Sequence, residues 1–241
     1  MTDAGERATI LIRGGRIYDH DGDVHQPATG DLLVSAGRIE RTAPRIDAPA
    51  GAEVIDASNK LVVPGLVNAH YHSHDVLMKG LFEEAPFDIW TSYTGAAAYG
   101  TRTHREVRIR TLIGAAEMLR NGITTVQDFL TVYPVEESYV DTVLQAYDEA
   151  GIRVNFAIAA RDRSQLDIAP LMAKDLPEAI RDRIFGKPGR TAQQELDFVA
   201  GQIKRLGMAP RKLITWALAL SLPDAPVWLI NADGSLCMNL G

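Results

Sequence analysis

The chain has 241 residues, 46% hydrophobic and 23% charged, with a formal net charge of −6 and a pI near 5.5. This suits a globular protein of one large domain or two small ones, and the lack of any dense Lys/Arg run argues against nucleic acid or an anionic membrane as partner. No apolar run reaches the roughly 18 residues of a membrane span, the start "MTDAGERATILIRGG" lacks the pattern of a signal peptide, and the single Cys237 excludes an internal disulfide framework and fits a reducing cytoplasm.

Residues 8–60 read as short strands separated by turns. "ATILIRGGRIYD" reads as a strand, a Gly-Gly turn and a second strand; "GDLLVSAGRIERTAP" repeats the form, and "AEVIDASNKLVVPG" follows. The spacing predicts a small β-sheet or half-sandwich. "DHDGD" at 19–23 resembles the opening of a calcium loop, but Val24 and Gly30 stand where that loop needs Gly and Glu. A turn built on Asp-Gly is the expectation.

After Pro64 the pattern changes. "GLVNAHYH" reads as a strand. "THREVRIRTLIGAAEMLRNG" reads as a helix, with Thr103 as N-cap, Glu106 in the capping-box position and Asn121-Gly122 as the stop. "ITTVQDFL", "IRVNFAIAARD" and "KLITWALAL" read as further strands, and "EESYVDTVLQAYDEAG" and "TAQQELDFVAGQIKRLG" as further helices. Between 152 and 192 a short helix or excursion is expected. Strands alternating with helices at this spacing predict βα units on a parallel sheet.

Three of the six histidines, His70, His72 and His74, fall at alternate positions where the first of these strands ends. In a strand, residues two apart share a face, so His70 and His72 project together. Two imidazoles on one wall can begin a metal site, although an isolated H-x-H also arises by chance on surfaces and loops. The context carries more weight: "PGLVNAHYH", residues 64–72, follows a β-rich lead-in and precedes βα units. The combination resembles the metal-dependent amidohydrolase superfamily, in the branch of cytosine and guanine deaminases and triazine hydrolases.

That resemblance covers about residues 8–218. It implies an α/β fold: residues 1–63 as the N-terminal part of a composite β-sandwich, and 64–219 as the first half of a (β/α)8 TIM barrel, about four βα units. Residues 220–241 form an atypical tail without clear helical or strand period. His70 and His72 would be the first two ligands of a divalent metal, zinc or iron. His74 is read as a loop residue near the pocket mouth. With Phe82 and Trp90 (Leu81 beside them) it is a candidate for contact with a flat heterocyclic substrate, against the reading that these aromatics only bury a loop. Asp128 could support the metal ligands or serve a turn, and His104 should be exposed at its helix start.

The implied reaction is hydrolysis of a non-peptide C–N bond of a small cyclic substrate, most often with loss of ammonia, by water that a metal brings to a pKa of about 7. The single cysteine excludes the H-x-E/P-C-x-x-C deaminases. No H-E-x-x-H, Walker A, G-x-G-x-x-G or G-x-S-x-G motif is present. The superfamily takes further ligands from later strands, whereas no histidine follows His104 here. The expectation is a frame lost near Leu220 or a truncated product, weak zinc binding, an inactive isolated chain, and open edges on the first and fourth barrel strands. The alternative function is an inactive fragment or non-catalytic interaction protein. A homo-oligomer is left open.

Overall fold

The computed structural model describes residues 8–80, 84, 86, 102–130, 136–161, 177–179, 191–206, 214–221, 227–231 and 236–239. The chain divides into two units between Gly65 and Leu66. The expected excursion within 152–192 lies largely outside the described residues, and so do Leu81, Phe82 and Trp90.

The first unit is a five-stranded sheet. Its strands are β1 (Ile10–Ile17), β2 (Thr29–Ser35), β3 (Arg38–Ala43), β4 (Glu53–Asp56) and β5 (Leu61–Val62), in the order β3-β2-β1-β4, with β5 also pairing with β1. β2 runs antiparallel to both β1 and β3, and β4 and β5 run parallel to β1. Between β2 and β3 the turn residues Ala36 and Gly37 have φ of 49° and 76°. Two successive positive φ values match the right-handed twist of the strands they join. The expected Gly-Gly turn inside "ATILIRGGRIYD" is not formed. Gly14 takes φ 70° and the β1–β2 register slips between Ile12 and Gly15, so one strand runs through with a bulge. Buried Asp31 fixes that bulge, accepting the N–H of Gly14 and of Ile46 at 2.9 Å each. Leu11, Leu33 and Ile46 make a small core beside it.

The second unit is a six-stranded sheet with strands β6 (Leu66–Tyr71), β7 (Ile123–Leu130), β8 (Arg153–Arg161), β9 (Ile214–Ser221), β10 (Val227–Asn231) and β11 (Leu236–Asn239), in the order β11-β10-β9-β8-β7-β6. β6 to β9 are parallel throughout. Helices α1 (His104–Arg120), α2 (Glu137–Ala150) and α3 (Ala192–Leu206) lie between successive strands of this set. In-register residues of neighbouring strands share a face. Val126, Val154 and Ile214 form one such row, and Leu130 and Ile158 another. All are buried against Val107, Ala115 and Met118 of α1, Val140, Val143 and Leu144 of α2 and Val199 of α3. The helices therefore cover one face of the parallel sheet.

The expected capping box on α1 is half made. Thr103 Oγ1 accepts the Glu106 N–H at 3.2 Å, while the Glu106 carboxylate turns to Arg102 at 2.7 Å. α2 ends on Gly151 in the left-handed region, φ 74°. The tail corrects the sequence reading: β10 and β11 pair antiparallel with each other, and β10 pairs antiparallel with β9. The fourth parallel strand is thus not left with an open edge. The first one is, for among the described residues β6 pairs only with β7 and exposes Leu66 and Val67 by 56% and 65%.

Candidate metal-binding site

The site lies where β6 runs into a 3-10 turn, Ser73–Met78. Strict alternation would put Asn68, His70 and His72 on one face. The β6–β7 ladder instead pairs Asn68 with Val126 and Tyr71 with Asp128, three residues against two. This bulge puts both Asn68 and Tyr71 on the helix side. Asn68 Nδ2 meets Met118 Sδ at 3.8 Å, and the Tyr71 hydroxyl sits where a side chain on Gly114 of α1 would be. The imidazoles of His70 and His72, on either side of Tyr71, fall together on the opposite face, ring centroids 5.0 Å apart and edge to face.

His72 is held from β7. Its Nδ1 lies 2.9 Å from the Phe129 carbonyl oxygen, and its ring meets the Phe129 ring at 5.5 Å. A carbonyl only accepts, so Nδ1 is the donor here, which leaves Nε2 as the nitrogen turned toward a metal. This arrangement, one ring nitrogen bound to a backbone carbonyl and the other open, is the usual build of a metal-ligating histidine. His70 is exposed beside it, with its own backbone N–H held by Asn68 Oδ1 at 3.2 Å. The donor set thus fits the implied metal as two imidazoles on one face. Among the described residues no group of three or more His, Cys, Asp or Glu comes together to hold an ion.

His74 lies within the 3-10 turn that follows β6, 7% exposed, with its ring 5.3 Å from that of His72 and Nε2 3.5 Å from Asp75 Oδ1. The turn folds back toward α1 and β7, burying Ser73, His74 and Val76. His104 is exposed as expected, stacked 4.2 Å from Tyr139, with Nδ1 2.9 Å from Thr142 Oγ1.

Beneath the histidines, on the helix side, is a polar cluster that sequence reasoning found only in part. Asp128 is in mid-strand and 0% exposed; its Oδ1 accepts the Ser73 N–H at 2.9 Å and its Oδ2 the Tyr147 hydroxyl at 2.7 Å. Burial pushes the Asp128 carboxyl above its ordinary pKa, against the pull of the Ser73 and Tyr147 hydrogen bonds and the charge of His72. Burial also raises Asp75, with His72 and Arg110 opposing, and lowers buried Arg110, with Arg102 adding to the effect. Tyr147 and Tyr71 are pushed up, first by burial and then by the Asp128 charge. Sequence reasoning passed over Ser73, Phe129 and Tyr147. One signal was available: in "VQDFL" an aspartate takes the middle place between Val126 and Leu130, where alternation calls for an apolar residue.

In βα barrels the active site lies at the C-terminal ends of the strands, and the histidines stand at that end of β6. The amidohydrolase family model matches residues 61–200, and the chain belongs to that family. It is 37% identical over 146 residues to 5-methylthioadenosine/S-adenosylhomocysteine deaminase of Symbiobacterium thermophilum, covering 60% of this chain and 32% of that one. To the deaminase of the same description from Natronomonas pharaonis it is 30% identical over 208 residues, 86% of this chain and 43% of the relative. Among solved structures it is similar to atrazine chlorohydrolase from Arthrobacter aurescens TC1 complexed with zinc, TM-score 0.71 at 22% identity, covering 89% of this chain and 47% of that one. The fold is the expected α/β class, with βα units of a partial TIM barrel. The chain spans less than half the length of these proteins.

Proposed function

We propose that the chain contributes to a metal-dependent hydrolase of non-peptide carbon–nitrogen bonds, a deaminase of a heterocyclic small molecule, with His70 and His72 as the first two metal ligands. The observation that carries this reading is the pair of imidazoles 5.0 Å apart, one with its Nδ1 tied to the Phe129 carbonyl. Membership of the amidohydrolase family supports the reaction class, and relatives named as deaminases at 30–38% identity support deamination over amide hydrolysis or dechlorination. When bound, zinc or iron supplies water activated near neutral pH. The chain's own part is to present two imidazoles together on one face. His74, Phe82 and Trp90 are the residues we assign to the substrate side.

A catalytic zinc takes about three protein ligands and a water. His70 and His72 supply two, so the third comes from outside the described residues. Two imidazoles alone make a weak zinc site, so the affinity expected from His70 and His72 is low. Calorimetric titration of zinc tests the assignment. The expected result is one zinc per chain, lost in both His70→Ala and His72→Ala, and equal binding in both variants contradicts it. Ammonia release from 5′-methylthioadenosine, S-adenosylhomocysteine or guanine by the zinc-loaded chain, abolished by His72→Ala, supports deamination. Release that persists in His72→Ala removes the histidine from the reaction.

A further inference from the structure

We propose that Asp128 is the positioning residue for His72, gripping the backbone that follows it while the next residue of β7 grips its ring. The inference rests on the metal reading above.

Two consecutive residues of β7 meet the two consecutive residues that follow β6. The Phe129 carbonyl accepts from the His72 ring at 2.9 Å, and Asp128 Oδ1 accepts the Ser73 N–H at 2.9 Å. The second oxygen of Asp128 is taken by the Tyr147 hydroxyl of α2 at 2.7 Å, so the carboxylate is itself fixed. With both oxygens engaged by Ser73 N–H and the Tyr147 hydroxyl, the hydrogen-bonded hold of Asp128 on His72 runs through the main chain at Ser73.

The position is an expensive one for a carboxylate. Asp128 and Tyr147 are both fully buried, and Val126 and Leu130 flank Asp128 on the same face in the apolar core. An apolar residue would continue that stripe and avoid the desolvation cost. What an apolar residue cannot do is accept a main-chain N–H from the 3-10 turn. Without that acceptor the Ser73 N–H, in a residue that is 0% exposed, is left without this partner, and the turn is freed to move. His72 would then lose the fixed backbone that aims it, and with it the steady geometry of its ring bond to β7.

The test uses the whole chain with three variants and a control. Asp128→Ala removes the acceptor. Asp128→Asn keeps an oxygen for the Ser73 N–H and an amide that can donate to the Tyr147 oxygen. Tyr147→Phe frees one side of the carboxylate. Val143→Ala, in the same core between α2 and the sheet, destabilises without touching the clamp. All are measured at a temperature where far-UV circular dichroism matches the parent. The first readout is zinc affinity by calorimetry, and the second is the His72 Nδ1–H resonance of the metal-free chain by 15N-imidazole NMR.

Asp128→Ala should weaken zinc binding about 10- to 100-fold, the usual cost of removing a group that orients a ligand, and should lose the slowly exchanging Nδ1–H signal. Asp128→Asn should restore most of both. Tyr147→Phe should speed exchange of that proton, and Val143→Ala should leave both readouts at parent values. Parent-like zinc affinity and Nδ1–H signal in Asp128→Ala overturn the clamp. If that variant does not fold, parent-like exchange in Tyr147→Phe does so. Zinc binding unaffected by His72→Ala defeats the metal reading instead, and the NMR readout then decides the clamp alone.

Discussion

His72 is aimed by neighbours on another strand, and the same economy governs the carboxylates. Asp31 and Asp128 are both buried, yet their surroundings shift them in opposite directions. The Ile46 N–H, followed by the Gly14 N–H and the charges of Arg13 and Arg45, holds Asp31 below its ordinary 3.8, with burial opposing. A depressed folded pKa gives stability that is present above the unfolded value and lost as the pH falls through the folded one. The melting temperature of the parent relative to Asp31→Asn should therefore drop below pH 3.8. Asp128 has the reverse sign. Its folded pKa is raised, so its contribution is full below 3.8 and is lost as the pH rises through the folded value. Relative to Asp128→Asn, the parent should lose melting temperature as the pH climbs from 3.8. A flat difference for either pair shows that the carboxyl titrates alike in the folded and unfolded chain.

At the scale of elements, the contact between α1 and β6 decides whether the bulge can form. Gly114 lets the helix approach until the Tyr71 hydroxyl occupies the space a Cβ would need, with Val76 Cγ2 at 3.1 Å from the same point. In an isolated helix, Gly114→Ala gains about 1 kcal/mol of propensity. Here the overlap with Tyr71 and Val76 should cost about 1–3 kcal/mol, as overpacking does, so the net effect on denaturant stability is expected to be a loss. Because Tyr71 stands between His70 and His72, zinc affinity should fall with it. A stabilised variant with parent zinc affinity would show that Tyr71 moves aside freely. At the start of α1, Thr103→Ala should cost about 1 kcal/mol through the lost cap bond to Glu106 N–H, read from the denaturation midpoint.

These contacts also explain what the sequence made legible. The helices were readable because Thr103, Gly151 and the apolar spacing of α1–α3 are local signals. The histidine pair was readable because His70 and His72 are two apart. The bulge at 68–71 was not, since it depends on register with β7 and on the room left by Gly114. The Gly-Gly of β1 likewise became a bulge because Asp31, far along the chain, captures the Gly14 N–H. β10 and β11 are short runs without period, and pairing with β9 decides them.

At the scale of the whole chain, β6 carries the candidate site and, among the described residues, is the rim of its sheet. Among the described residues no helix is long and apolar enough to cross a membrane. A strand edge with Val67 and Leu66 more than half exposed invites pairing with other chains. Light scattering at rising concentration should show self-association, reduced by Val67→Lys. Unchanged association in that variant would place the contact elsewhere.

The most direct test of the account is anomalous diffraction at the zinc edge from crystals of the chain grown with zinc. The account predicts a peak within coordination distance, about 2.1 Å, of Nε2 of His72 and of a ring nitrogen of His70. A peak held by other residues, with these two imidazoles free of metal, would contradict it.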